Sequence, residues 1–530
     1  MERNEERSRL LRSTVTVALP TLVSRLLGYV RDLLQAYFLG TGHSADAFTI
    51  AFTIPNLFRR LTGEGAMTSA FVPAFTEVKR SGDRKELWRF GNAFFYDLAL
   101  VMGVATVLGV LFAPGLVEVI AHGFKTTEGK WAQTISMTRI MFPYLFFISL
   151  AALASAILNS FRRFLVPAST PILFNLAVIA SAAFLARGSR DPALVFCLGV
   201  LIGGVLQLLF QVPFLWKEGM RFPPGVSFRN PAVRRVAGLM VPGVLGAGVY
   251  QVNFALSRMI ASGLERGSTA ALYYSSRVEE LTLGLFSIAL AVALLPAFSE
   301  QAAAKDIPEM KRTLAFSLKL TSFVTFPAAA GLVVLSRPII RVLFERGAFD
   351  RESTAMSAGC LLFFAVGLPF VSGVKVVAPA FFSLKDTRSP VIVGVFVMAI
   401  NVGLSFALMG RFRVGGIALA LSLSQVANFA ALFLWLEKKI GGLGKRELAV
   451  PALKAMAAAA LMGGVLLWLR PLVDVAGAPF GRQAAGLAGA IALGIVLYFL
   501  FFLVLSPKDA RELTAAVLHA ARPAGRKEDR

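Results

Sequence analysis

The chain has 530 residues, is 56% hydrophobic and only 16% charged, and has a mean hydropathy of +0.69. These values exclude the soluble globular classes and fit a polytopic helical membrane protein. The net charge of +23 points to nucleic acid only if its position is ignored, since most of it falls in short loops between apolar runs.

A window of about 20 residues divides the chain into fourteen spans. They lie near 14–39, 46–78, 92–114, 134–160, 165–186, 192–216, 236–261, 270–299, 314–336, 354–383, 390–410, 414–436, 450–469 and 484–505. Several are longer than a bilayer is thick and must tilt, bend or project. Most loop Lys and Arg fall on the side that holds both termini, so both termini are expected in the cytoplasm. One outer loop resists that rule, with Arg337, Arg341, Arg346 and Arg351 between spans nine and ten. The N-terminus lacks the apolar core and cleavage site of a signal peptide and is expected to stay on the chain.

The first span carries Ser24, Arg25, Gly28, Arg31, Asp32 and Gln35 within an arc of roughly 120°. That stripe must face protein or water, because a cation at the bilayer centre costs roughly 2.5–3.5 kcal/mol. An ion-pair network holding span one to its neighbours is the plainer alternative. Span two places Asn56, Arg60, Gly63 and Glu64 on one face, with Arg59 beside them and Pro55 removing a backbone hydrogen bond. In span seven, Asn253 and Ser257, with Tyr250 and Gln251 nearby, are weak candidates to hold a small cation, against ordinary interhelical hydrogen bonding. Span eight groups Tyr273, Arg277, Glu280 and Gly284, with Glu280 three residues after Arg277 and able to pair with it; Glu279 points elsewhere.

In all, ten cations sit within spans: Arg25, Arg31, Arg59, Arg60, Arg139, Arg258, Arg277, Lys319, Lys375 and Lys454. Fewer acids lie at comparable depth. The excess of guanidinium groups, which offer paired donors and stay charged, favours a polyanionic head group such as a diphosphate. Cys197 and Cys360 lie far apart and His43, His122 and His519 are scattered, so neither a structural disulfide nor a metal centre is expected. No Gly-rich Lys-Ser/Thr phosphate loop marks an ATPase.

The chain also repeats. Pro73-Ala74-Phe75-Thr76-Glu77 returns 223 residues on as Pro296-Ala297-Phe298-Ser299-Glu300, and Pro167 returns as Pro390. Pro114 and Gly123 return 224 residues on as Pro338 and Gly347. Each unit holds six spans, an even number, so the copies share one orientation, as in transporters built from parallel repeats. The expected fold is an all-α polytopic membrane protein of about fourteen transmembrane helices. Two parallel six-helix lobes (1–225 and 226–445) would surround a central cavity, followed by two extra C-terminal helices (446–507) and a cytoplasmic tail (508–530).

Several segments together resemble the MurJ (MviN) family of lipid II flippases, within the multidrug/oligosaccharidyl-lipid/polysaccharide exporter superfamily. They are Ser24 through Asp32, Asp46-Ala47-Phe48, Ile54-Pro55-Asn56 through Arg59-Arg60 and Glu64-Gly65-Ala66, Ala70 through Pro73, Tyr273-Tyr274 with Arg277 and Glu280, and Lys385 through Pro390. The resemblance implies a V-shaped cavity, a polyprenyl-tail groove on spans thirteen and fourteen, and a bacterial inner-membrane location. It implies a transporter, not an enzyme, that moves the undecaprenyl-diphosphate-linked disaccharide-pentapeptide to the outer leaflet. Membrane potential or a coupling cation, sodium or proton, would drive it, with membrane lipids and other cell-wall synthesis proteins as partners. By matching motif positions, Arg25, Arg31, Asp46, Asn56, Arg59, Glu64, Arg277 and Glu280 look functional; the polar faces add Asp32 and Arg60. Where the family often has an acid before the span-eight arginine, this chain has Ser276. The residues leave two alternatives: a flippase for another polyprenyl-diphosphate glycan, or an intramembrane enzyme acting on polyprenyl phosphates.

Overall fold

In a computed structural model, residues 2–59, 70–223, 231–475 and 477–511 are described. All regular structure among them is helical. The α-helices are α1 (Glu2–Leu39), α2 (His43–Arg59), α3 (Val72–Arg80), α4 (Arg84–Leu111), α5 (Ala113–Ile120), α6 (Lys130–Met141), α7 (Tyr144–Ser160), α8 (Leu165–Leu185) and α9 (Pro192–Glu218). They continue with α10 (Pro231–Ser262), α11 (Ser268–Leu285), α12 (Ser287–Ala303), α13 (Ile307–Phe344), α14 (Arg351–Ser383), α15 (Arg388–Ile440), α16 (Lys445–Val473) and α17 (Phe480–Leu505).

Nine helical segments among the described residues are long and apolar enough to cross a membrane, and α11 with α12 forms a tenth if their 46° bend is taken within one span. The all-helical membrane fold is therefore as expected. The figure of fourteen also includes segments outside that count, such as the stretch 14–39 of α1 with Arg25, Arg31 and Asp32. One expected span, 134–160, is broken at a proline, and one long helix carries two expected spans. Pro143 separates α6 from α7, since it supplies no N–H to continue the ladder. α15 runs for 53 residues, about 80 Å if straight and too long for one crossing. It turns at Arg413, whose φ of 51° is non-helical. A Cβ on Gly416 would lie 2.5 Å from the Leu408 carbonyl oxygen, so the turn closes tightly enough to require glycine. The two limbs match the expected spans 390–410 and 414–436.

The chain divides into two compact units. One comprises Met1–Tyr273 with Arg346–Ser353; the other comprises Tyr274–Glu345 with Thr354–Arg530. In the first unit α8 packs on both α1 and α9, while α7 packs on α9 and α4. The division falls inside α11 because α10, the first helix of the second sequence repeat, packs on α2, α4 and α5.

Contacts within this unit join segments that stand far apart in the sequence. Asp46 and Thr269, 223 residues apart, hydrogen-bond through their side chains at 2.5 Å. A Cβ on Gly123 would come within 2.4 Å of the Ser262 carbonyl oxygen at the end of α10. Its repeat mate Gly347 would meet the Tyr37 carbonyl oxygen, near the end of α1, at the same 2.4 Å. Each copy's glycine thus abuts the first helix of the other copy. The segment 346–353 is fastened further by Ala348 N–H donating to Tyr37 O at 2.8 Å and by a Thr41–Ser353 hydroxyl pair at 2.8 Å.

The second unit has two apolar clusters. Leu294, Phe298, Met310, Leu314, Phe381, Val393 and Leu436 join α12 to α15. The other joins α13 to the added helices α16 and α17, with Phe323 4.9 Å from Phe502 and 5.4 Å from Tyr498. At one end Arg341 is buried between Asp474 and Glu345. Arg341, like Arg337, lies inside α13 rather than in a loop, so the expected span end at 336 fell short; paired inside protein, Arg341 does not weigh in a rule for free loop charge.

Candidate functional site

The polar face of α1 meets a set of side chains from α8, α10 and α11 in the first unit. Arg31 donates from Nε and Nη2 to Asp32 Oδ1, at 3.1 and 2.7 Å. Its Nη1 donates to Asn175 Oδ1 at 3.2 Å, and its guanidinium carbon lies 5.7 Å from the centre of the Phe174 ring. Asn175 in turn donates to the Ser24 carbonyl at 3.0 Å, tying α8 to α1. The Tyr273 hydroxyl donates to the same Asp32 oxygen at 2.9 Å. Arg258, itself buried, covers the Tyr273 ring at 5.6 Å and donates from Nη1 to Thr53 Oγ1 at 2.7 Å. A continuous polar track therefore runs from Ser24 through Asn175, Arg31, Asp32 and Tyr273 to Arg258 and Thr53. Arg31 retains 16% side-chain exposure against 5% for Asp32, so its guanidinium can be reached while its carboxylate partner is enclosed.

Asn56 lies one turn beyond Thr53 on α2 and accepts from Arg59 Nε at 3.0 Å; both are half-buried. Arg25 is exposed on α1. Arg60 and Glu64 fall outside the described residues.

Asp46 occupies a different setting. Its Oδ2 accepts from Lys130 Nζ at 2.7 Å and from Gly267 N at 2.8 Å. Its Oδ1 accepts from Thr269 Oγ1 at 2.5 Å and Ala270 N at 2.9 Å. Two of these donors are backbone N–H groups at the start of α11, which a carboxylate satisfies and whose dipole it complements. Gly267 is held at φ +89°, and a Cβ there would lie 2.4 Å from the Thr41 carbonyl oxygen. Lys130 also lies 3.9 Å from the Phe124 ring centre. The side chains of Asp46 and Lys130 are 1% and 3% exposed, so this node is sealed.

In the second unit, Arg277 Nη1 donates to Glu280 Oε2 at 2.6 Å, the i,i+3 pair expected from spacing. Glu279, unexplained by the helical face, is buried and lies within electrostatic range of Glu280 and Lys375. Ser276 is buried. The weak cation candidates are both buried on α10, where Ser257 Oγ donates to the Asn253 backbone oxygen at 3.2 Å. Among the described residues no group of three or more His, Cys, Asp or Glu side chains is placed to hold a metal ion. Two of the ten span cations lie away from these clusters: Arg139 donates to the Val110 carbonyl at 3.3 Å, and Lys454 faces Ser506.

Sequence reading did not single out Asn175, Phe174 or Lys130. Asn175 carried one usable signal, an isolated amide in an apolar span, which in a membrane must find a partner.

The model of the family described as "Lipid II flippase MurJ" matches residues 35–480. A "Probable lipid II flippase MurJ" from Vibrio cholerae serotype O1 is 34% identical over 516 residues, covering 96% of this chain and 98% of its own. A solved structure described as "Lipid II flippase MurJ, inward closed conformation" superposes with a TM-score of 0.78 at 25% identity, covering 94% of this chain and all of that one. An inward-facing multidrug-resistance MATE transporter of the MOP superfamily shares the fold alone, with a TM-score of 0.68 at 13% identity over 82% of this chain. With its polar track along α1, its helical membrane fold and these relatives, the chain belongs to the MurJ lipid II flippase family.

Proposed function

We propose that this chain moves the undecaprenyl-diphosphate-linked peptidoglycan precursor, lipid II, from the cytoplasmic to the outer leaflet of the bacterial inner membrane by alternating access. The observation that carries the reading is the Arg31 guanidinium, held by Asp32 and Asn175 while 16% of the side chain stays exposed. A guanidinium in that state can exchange a carboxylate for a phosphate oxygen, because the two acceptors match its paired donors alike. Arg25, Asn56 and Arg59 extend the polar surface along α1 and α2; Arg60 and Glu64 join the proposed site on sequence grounds alone. Arg277 with Glu280 offers a second exchangeable pair, with 21% and 44% of their side chains exposed. Asp46 we assign to the scaffold that sets the start of α11.

The tail would remain in lipid along α16 and α17 while the head group crosses, with both termini cytoplasmic. Membrane potential, acting at about 2.3 kcal/mol per charge per 100 mV, or a sodium or proton gradient would drive return of the cationic empty site. A flippase for another polyprenyl-diphosphate glycan is the near alternative, since the phosphate chemistry is shared. The test is rescue of cells depleted of their own lipid II flippase. The unmutated chain should restore growth, and Arg25→Ala and Arg31→Ala should not at equal membrane expression. Absence of rescue by a well-expressed unmutated chain would reject lipid II as the substrate.

A further inference from the structure

Asp32 Oδ1 is shared by donors from two directions. Arg31 reaches it from the neighbouring position on α1 with two N–H groups, and Tyr273 reaches it from α11 with its hydroxyl. The carboxylate is buried, so losing a donor costs it more than it would in water. When Arg31 turns toward a phosphate, Asp32 surrenders two hydrogen bonds at once.

We propose that Tyr273 is a positioning residue that stays on Asp32 during this exchange and so makes Arg31 available to the substrate's diphosphate. The inference rests on the reading that Arg31 grips that group. Two features fit Tyr273 for the task. Its hydroxyl competes with Arg31 for the same oxygen, which loosens the Arg31–Asp32 pair before substrate arrives. The Arg258 guanidinium, 5.6 Å from the ring centre, draws electron density from the ring face and strengthens the hydroxyl as a donor. Asn175 does the complementary work on the other side: it holds Nη1 of Arg31, so the guanidinium swings about a fixed point. Phenylalanine at 273 would leave the carboxylate leaning harder on Arg31, and the exchange would become less favourable.

The experiment is titration of the purified full chain in lipid nanodiscs with lipid II, read by native mass spectrometry. Each variant is checked for unaltered thermal unfolding without substrate. Tyr273→Phe removes one oxygen and should weaken lipid II binding about tenfold. In an Asp32→Ala background the same substitution should add nothing, because the acceptor through which Tyr273 acts is gone. An equal further loss in that background would show that Tyr273 acts elsewhere and overturn the proposal. So would Tyr273→Phe binding like the unmutated chain while Arg31→Ala loses binding, an outcome that leaves the diphosphate reading intact. Unchanged binding by Arg31→Ala would remove both.

Discussion

Asp32 and Asp46 look alike in the sequence, each an acid within or beside an early span, yet the first unit treats them differently. Asp46 is saturated: four donors on its two oxygens, a buried ammonium beside it, and almost no exposure. Asp32 shares one oxygen between Arg31 and Tyr273, and its partner Arg31 keeps 16% of its side chain exposed. A saturated and sealed carboxylate holds helices in place. A shared carboxylate with a reachable partner is poised to change partners. The difference lies in what surrounds the pair, not in residue type.

The largest effect should come from breaking the sealed node. Asp46→Ala strands the Lys130 ammonium among buried groups, a loss of about 3–5 kcal/mol, visible as a much lower thermal midpoint or a poor folded yield. Adding Lys130→Met should recover part of it, since removing both charges is milder than orphaning one. If Asp46→Ala were as stable as the unmutated chain and still failed to transport, Asp46 would belong with Asp32 and the contrast would be wrong.

Breaking the exchangeable pair should do the reverse. Arg31→Lys keeps the charge but loses the paired donors, so transport should fall about a hundredfold through misplacement of the head group. Stability should change by no more than about 1 kcal/mol. Proteoliposome transport measured beside thermal unfolding decides it, and parallel losses in both would place Arg31 with the scaffold.

These differences were only partly legible in the sequence. The helices were, because long apolar runs leave few alternatives at membrane depth. So was the Arg277–Glu280 pair, because three residues on a helix fix the geometry. The Asp46–Lys130 contact was not, since its partners are 84 residues apart, nor were the contacts of Asn175 with Arg31 and of Tyr273 with Asp32, at separations of 144 and 241 residues. Helical periodicity states which face is polar and is silent on what it meets. The cation cluster expected in an outer loop was misleading for the same reason: Arg341 belongs to α13 and finds Asp474, 133 residues on.

Glu280→Gln sharpens the contrast in the second unit at lower cost. Its carboxylate is 44% exposed and paired at i,i+3, so the stability loss should stay below about 1 kcal/mol. Rescue of flippase-depleted cells should nevertheless weaken if Arg277 needs a partner that yields. Full rescue with unchanged stability would assign the pair to the surface rather than to transport.

The smallest effect should appear at His43, beside the sealed node. Burial lowers its pKa from the ordinary 6.5, and the charges of Arg266 and Lys130 lower it further against the opposing pull of Asp46. The folded state therefore prefers neutral imidazole, and the unfolded chain takes up a proton first as pH falls through 6.5. His43 should leave stability intact above that value and reduce it below, toward its own depressed pKa. Because the group is only partly enclosed, the change should be about 1 °C in midpoint between about pH 7.5 and 5.5. His43→Gln should remove that share of the slope. If variant and unmutated chain fell in parallel across the range, the proton would be entering elsewhere.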